Sequence, residues 1–387
     1  MSLHTLAARY VFPVTGDPVP EGMVVVDEGR IVSVGSVACR GQLEDLGNVA
    51  ILPGLVNAHT HLELSGFQRP LGTAGMSLPE WIRQLMAARP AVDARRAVCR
   101  GLAECEWRGV AALGDIAQPG WSAEPLAESP IRTTVFLELI GPTAARRDAA
   151  IELARQHLGA RRPDAAWQAG LSPHAPYTVR RDLLDAVVEM SATARVPLAF
   201  HLAESREELE LLRSGTGPLR ELLEELGAWE PGGFAPGGRP LDYLQALAAA
   251  DRSLVIHGNY FDSEEIAFLG RHAPRMTVVY CPRSHAWFGH SPYPLAGMLA
   301  AGALVALGTD SRASAPDLSL LEEMREAAWR HPGVTAEQFV RMATLNGAKA
   351  LGLDRELGTL EPGKAAELTI VPLPERSGDP YKLLLNG

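Results

Sequence analysis

His59-Thr60-His61 closes the apolar run Ile51-Leu52-Pro53-Gly54-Leu55-Val56-Asn57-Ala58 and offers two imidazoles two residues apart. Along a strand, residues i and i+2 share a face, so both rings can address one cation while Thr60 turns away. Neutral imidazole nitrogens suit zinc or another borderline divalent ion, and the rest of the coordination sphere must come from distant parts of the chain. The pair alone is equally compatible with a polar strand end. Its meaning therefore depends on partners, and similar groups recur at the ends of other apolar runs. His201 closes Pro197-Leu198-Ala199-Phe200, His257 closes Leu254-Val255-Ile256, and Asp310 follows Val305-Ala306-Leu307-Gly308-Thr309. Glu204 comes three residues after His201. A single strand-end histidine is usually structural; this many imidazoles and carboxylates in one relative position suggest a shared site.

The elements that must position these groups alternate regularly. Thr5 to Phe12, Gly22 to Asp27 and Arg30 to Gly35 are β-prone, with Asp27-Glu28-Gly29-Arg30 as a turn, and form a small sheet. From Ile51 to Val56 onward, apolar strands alternate with amphipathic helices, such as the helix around Ala94 to Arg108 before the strand Val110 to Asp115. Further strands are predicted at Thr133 to Leu139, Trp167 to Leu171, Pro197 to His201, Ser253 to His257, Met276 to Tyr280 and Ala303 to Gly308. Strand-helix repetition on this scale predicts an α/β protein with a closed (β/α)8 TIM barrel, whose active site forms at the C-terminal strand ends. Ala366 to Val371 reads as a last strand completing the N-terminal sheet, and Gly227 to Arg239 as a loop in a helical insertion. The expected division is residues 1–53 and 358–387 in the small β domain and 54–357 in the barrel.

Composition narrows the partners. The 387 residues are 47% hydrophobic and carry a formal charge of −10, which argues against a nucleic-acid surface and for small-molecule chemistry. Cys39, Cys99, Cys105 and Cys281 lack CxxC spacing, and the chain begins without a basic and apolar leader. A reducing cytoplasm is the expected compartment, without a membrane partner; assembly with further copies is left open.

Five segments together resemble the amidohydrolase superfamily, in its branch of deaminases and triazine chlorohydrolases. They are Pro53 to His61, Ser172-Pro173-His174-Ala175-Pro176-Tyr177-Thr178, His201-Leu202-Ala203-Glu204-Ser205, Leu307-Gly308-Thr309-Asp310-Ser311, and Gly358 to Lys364. The resemblance covers nearly the whole chain. It implies a barrel carrying a small β-sandwich made from both chain ends. It also implies His59, His61, His201 and Asp310 as metal ligands, Glu204 as proton shuttle and His257 beside the attacking water or the leaving group. Many relatives bridge two metals with a carbamylated lysine on the fourth strand. Here the only lysines are Lys349, Lys364 and Lys382, and Trp167 to Leu171 has none, so one divalent ion is expected, zinc with iron(II) as the alternative.

The implied chemistry is hydrolytic deamination. A metal-activated water attacks an electron-poor ring carbon, with Asp310 and His257 handling its proton, while protonated Glu204 serves the ring nitrogen and then the departing amine. His174 matches a histidine that sits against base or ribose in purine-nucleoside deaminases. Glu80, in Leu78-Pro79-Glu80-Trp81-Ile82, resembles a ribose-binding glutamate, although after Pro79 it also reads as a helix-start carboxylate. Cys281-Pro282-Arg283-Ser284-His285 departs from the family's Cys-Pro-x-Ser-Asn at His285. Arg283, Arg312 and Arg69 are candidates for an anionic substituent, and His4, His157, His272 and His331 read as structural. The motif set is most similar to 6-aminodeoxyfutalosine deaminases of menaquinone biosynthesis. Deamination of methylthioadenosine, S-adenosylhomocysteine or 5′-deoxyadenosine is the alternative, and a non-catalytic binding barrel the remote one.

Overall fold

A computed structural model describes residues 3–36, 38–162, 165–231, 234 and 236–386. The first sheet is built from both chain ends. Strands β1 (His4–Val11), β2 (Val19–Asp27), β3 (Arg30–Gly35), β4 (Gln42–Asp45) and β5 (Val49–Pro53) are joined by β14 (Leu368–Pro372) in the order β14-β5-β1-β2-β3, with β4 also pairing β1. Ile51 stands opposite Ile370 where antiparallel β14 completes the sheet on β5.

Eight parallel strands form the second sheet, in chain order: β6 (Leu55–Thr60), β7 (Val110–Ala117), β8 (Arg132–Leu139), β9 (Trp167–Pro173), β10 (Pro197–Leu202), β11 (Arg252–His257), β12 (Met276–Tyr280) and β13 (Leu304–Leu307). Helices between them cover the outside, as a parallel sheet with two buried faces requires. Inside the barrel lie Val56, Ala58, Phe136, Leu254, Ile256 and Val279, all 1% exposed or less. Leu345–Leu351 is a short helix packed with this cluster and against β6 and β13. The last helix, Pro380–Leu385, leaves the small sheet and sends Leu383 and Leu384 into the main core.

The expected strand Ile51 to Val56 is divided. Val49–Pro53 belongs to the small sheet and Leu55–Thr60 to the barrel. The break falls at Gly54, where a Cβ would lie 2.4 Å from that of Ala111. No larger residue fits that corner, so the chain passes between domains over one residue.

Closure of the barrel joins β6 to the end of β13. Asn57, fully buried, donates from Nδ2 to Thr309 Oγ1 at 2.8 Å and accepts the Thr309 N–H at 3.2 Å. The Thr309 and Asp310 N–H groups both donate to the His59 carbonyl, at 3.0 and 3.2 Å, and His61 N–H donates to the Asp310 carbonyl at 3.1 Å. Gly308 permits this approach, since a Cβ there would sit 2.9 Å from the His59 Cβ. Two regions some 250 residues apart in sequence are thus locked together by backbone bonds. In the loop Gly227 to Arg239, residues 232–233 and 235 lie outside the described residues. Among the described residues no helix is long and apolar enough to cross a membrane.

Candidate active site

Strand ends deliver the site. In β6 the pairing with β7 shifts register between Asn57 and Thr60, and this irregularity turns His59 inward after inward-facing Ala58. Thr60 turns its hydroxyl to the Asp310 carbonyl at 2.9 Å. His201 follows inward Ala199 by two residues, the plain strand alternation. The ring nitrogens of His59, His61 and His201 offer three ligand atoms within 4.8 Å of one another. Asp310 Oδ1 lies 3.6 Å from His59 Nε2 and 3.7 Å from His61 Nε2.

The donor set fits a divalent cation. His59 is completely buried, yet both of its ring nitrogens lack a hydrogen-bond partner, which is costly unless a ligand fills the gap. His201 Nδ1 is 3.1 Å from the His174 carbonyl; donation there leaves Nε2 as a lone-pair donor. Burial, then the neighbouring imidazoles, push His201 well below the ordinary histidine range; burial and His59 do the same to His61. Both are therefore neutral ligands at physiological pH. Burial alone would raise Asp310, but the imidazoles of His59, His257 and His61 outweigh it and hold the carboxylate below its usual range. Its Oδ2 accepts from the Ser284 and Ser314 hydroxyls, both at 2.7 Å, which fixes the direction of Oδ1.

Glu204 and His257 flank this cluster. Glu204 Oε1 is 3.5 Å from His257 Nε2, and both side chains are buried. Burial, followed by the charges of Asp310, Glu208 and Glu207, pushes the Glu204 carboxyl well above its ordinary value. Burial lowers His257 to about 3, so its imidazole is neutral. Ala203, His257 and Asp310 adopt φ of +53°, +70° and +55°, left-handed conformations that cost non-glycine residues about 1–3 kcal/mol each. Three of the seven left-handed non-glycine residues among the described residues thus lie at barrel strand ends beside the histidine cluster.

A cavity of about 410 Å³ opens over these groups. His61, His201, Glu204, His257 and Asp310 line it, as does His174, whose Nδ1 meets Thr178 Oγ1 at 2.7 Å and whose Nε2 lies 3.9 Å from Glu138 Oε1. One wall is apolar, made by Leu78, Trp81, Ile82 and Leu85 of one helix and Leu222, Leu223 and Leu226 of another segment.

Three other expected substrate residues are placed elsewhere. Glu80 is exposed and accepts from the Ser77 hydroxyl at 2.8 Å. Leu78, Trp81 and Leu85 turn their shared helix face to the cavity, so helical phase directs Glu80 away from it. Arg283 is committed to a buried network, with Nε to Glu323 Oε1 at 2.7 Å and Nη1 to Asp317 Oδ1 at 2.8 Å. His285 is buried behind the cavity with Nε2 3.0 Å from the Ser291 carbonyl. Arg312 likewise pairs with Glu104.

The sequence pattern did not point to several groups that the fold brings in. Arg146, Glu63 with its partner Arg89, and the hydrogen-bonded pair Gln118 and Glu138 all line the cavity. Glu138 lies on the third barrel strand and the others on segments that follow the first three, and none carries a motif. Glu208 does have a signal, since Ser205-Arg206-Glu207-Glu208 is an S-x-x-E capping pattern.

Known proteins resemble this chain in sequence and in fold. A relative from Moorella thermoacetica named 5-methylthioadenosine/S-adenosylhomocysteine deaminase is 31% identical over 94% of this chain and 84% of its own. One from Deinococcus radiodurans named aminodeoxyfutalosine deaminase is 31% identical over 86% of this chain and 82% of its own. The crystal structure of Helicobacter pylori aminofutalosine deaminase with methylthio-coformycin superposes with TM-score 0.87 over 99% of this chain and 95% of that one, at 24% identity, a likeness of fold. The Amidohydrolase family model matches residues 50–386, which take in all eight barrel strands and the strand-end histidines and carboxyls, and the chain belongs to that family.

Proposed function

We propose that this hydrolase of C–N bonds removes the 6-amino group of an adenine nucleoside, converting 6-aminodeoxyfutalosine to futalosine and ammonia. One observation carries the deaminase reading: Glu204 is a buried carboxyl 3.5 Å from His257 beside the histidine cluster, and burial pushes it well above its ordinary value. A carboxyl that holds its proton more tightly than usual is suited to donate one, and loss of an amine needs a proton donor.

His59, His61, His201 and Asp310 would hold one divalent ion, zinc by preference, which supplies Lewis-acid activation of water near neutral pH. Neutral His257 accepts a hydrogen bond from the attacking water and orients it. Glu204 gives its proton to the ring nitrogen next to the attacked carbon, then as a carboxylate takes up one proton of the attacking water and returns it to the departing amine, while the water's other proton, accepted by His257 3.5 Å away, restores Glu204. Asp310, kept ionised and aimed by Ser284 and Ser314, keeps its charge on the side from which attack occurs.

The substrate choice rests on the far half of the cavity. Its apolar wall suits an aromatic substituent, and Arg146, an exposed residue, contributes to the lining with no side-chain hydrogen bond or ion pair among the described residues. An arginine so placed is suited to a carboxylate. His174, Glu138 and Gln118 offer the polar side to the base and ribose. The aminodeoxyfutalosine deaminase name of the Deinococcus relative agrees with this reading. The second reading, methylthioadenosine or S-adenosylhomocysteine, is favoured by the Moorella relative, whose match covers more of the chain.

Ammonia release from 6-aminodeoxyfutalosine, methylthioadenosine, S-adenosylhomocysteine and 5′-deoxyadenosine, compared as kcat/KM, tests both levels. The first should lead by at least about tenfold, roughly the value of one charged hydrogen bond. A lead by another nucleoside overturns the substrate, and no ammonia from any overturns the deaminase reading.

A further inference from the structure

Glu208 is a second buried carboxylate on the Glu204 segment, fully buried and absent from the cavity lining. It points back along the chain. Oε1 accepts the Ala203 N–H at 2.8 Å and Oε2 the Glu204 N–H at 2.9 Å. Successive N–H groups converging on one anion form a nest, and the left-handed Ala203, φ +53°, is the turn that makes them converge. The Ser205 hydroxyl accepts the Glu208 N–H at 3.2 Å. Ser205 thus caps the helix on one side only, while the Glu208 side chain reaches past the N-cap to the two residues before it. On the other side, Asn259 Nδ2 donates to the Glu204 carbonyl at 2.8 Å. The Glu204 backbone is consequently held at both its N–H and its C=O.

We propose that Glu208 is a positioning residue for the proton shuttle: its carboxylate fixes the peptide from which Glu204 reaches into the cavity. This rests on the role given to Glu204 above. No cation pairs with Glu208 among the described residues; burial pushes its carboxyl up to about 7 against the two backbone N–H bonds that draw it down, so its hold on Ala203 and Glu204 demands well-aligned geometry. Near-attack placement of a proton donor makes the same demand, because a displacement of about 1 Å at a reacting group can cost on the order of 100-fold in rate.

The test is a double-mutant cycle with metal content measured in every protein. Glu208→Gln is isosteric, but its amide offers one acceptor and opposes the other N–H with an NH₂. It should lower kcat roughly 10- to 100-fold while KM and bound metal stay near wild type. In a Glu204→Gln background the same change should cost less than about twofold, because groups acting as one unit are not additive. Glu208→Asp keeps the charge with shorter reach and should fall between wild type and Glu208→Gln; if the glutamine variant does not fold, the aspartate variant is run through the same cycle. Equal losses in both backgrounds, or wild-type kcat in Glu208→Gln, overturn the inference. Full turnover by Glu204→Gln alone overturns the shuttle itself and is read separately.

Discussion

Glu204 Oε1 lies 3.5 Å from His257 Nε2, yet burial drives the carboxyl toward its protonated form and the imidazole toward its neutral form. Burial thus biases the pair away from an ion pair, the carboxyl toward keeping its proton and the imidazole toward staying neutral.

Glu204→Gln removes the proton but keeps shape and burial. It should reduce kcat by about 10²–10⁴-fold, the usual contribution of a positioned acid, and leave metal content unchanged. Steady-state ammonia release together with elemental analysis measures this; near-wild-type turnover removes Glu204 from the mechanism.

Ser284 and Ser314 each donate to Asp310 Oδ2 at 2.7 Å. Ser284→Ala with Ser314→Ala leaves the carboxylate free to rotate, and should weaken metal binding about 10- to 100-fold, as loss of outer hydrogen bonds to a metal ligand does. Competition with a chelator reads the affinity. An unchanged dissociation constant would detach these serines from the metal centre.

Arg146→Met should separate the two substrate readings. With a carboxylated 5′ substituent kcat/KM should drop by about 10- to 100-fold, corresponding to about 1.5–3 kcal/mol for a charged hydrogen bond, while methylthioadenosine should be little affected. Equal losses on both substrates would place Arg146 outside substrate recognition.

Burial, then His290, lower His285 to about 3 from an ordinary value near 6.5. Between those values the unfolded chain binds a proton that the folded one excludes, so this residue's contribution to stability falls as pH falls. Relative to His285→Asn, the wild type should lose up to about 1.4 kcal/mol per pH unit below pH 6.5. Paired denaturant titrations from pH 7 to 5 measure the difference; a constant difference would show that His285 is protonated in the fold.

The order and chemistry of the site were legible because a parallel barrel brings its strand ends together whatever the loops do. His59, His61, His201, His257 and Asp310 each close an apolar run, and the topology converts that local feature into proximity. The missing fourth-strand lysine was equally readable. Even there the sequence concealed two details: Gly54 divides one apolar run between two sheets, and a register shift re-aims His59.

Residues off the strands were decided by tertiary structure. Glu80 and Arg146 are each a charged residue near a helix start, and the sequence favoured Glu80 through its resemblance to a ribose-binding glutamate while nothing singled out Arg146. Packing of Trp81 against Phe288, with ring centroids 5.5 Å apart, fixes the phase of one helix and turns Glu80 to solvent, while Arg146 lines the cavity. Arg283 could be read as an anion-binding residue until Glu323 and Asp317 were found against it. Sequence by itself determined that imidazoles and carboxylates gather at the strand ends, because that depends on strand alternation and barrel topology, and its motifs carried the family resemblance that implied the reaction class. Which charges face the substrate and which are consumed by neighbours depends on long-range pairing, and only the tertiary structure decided it.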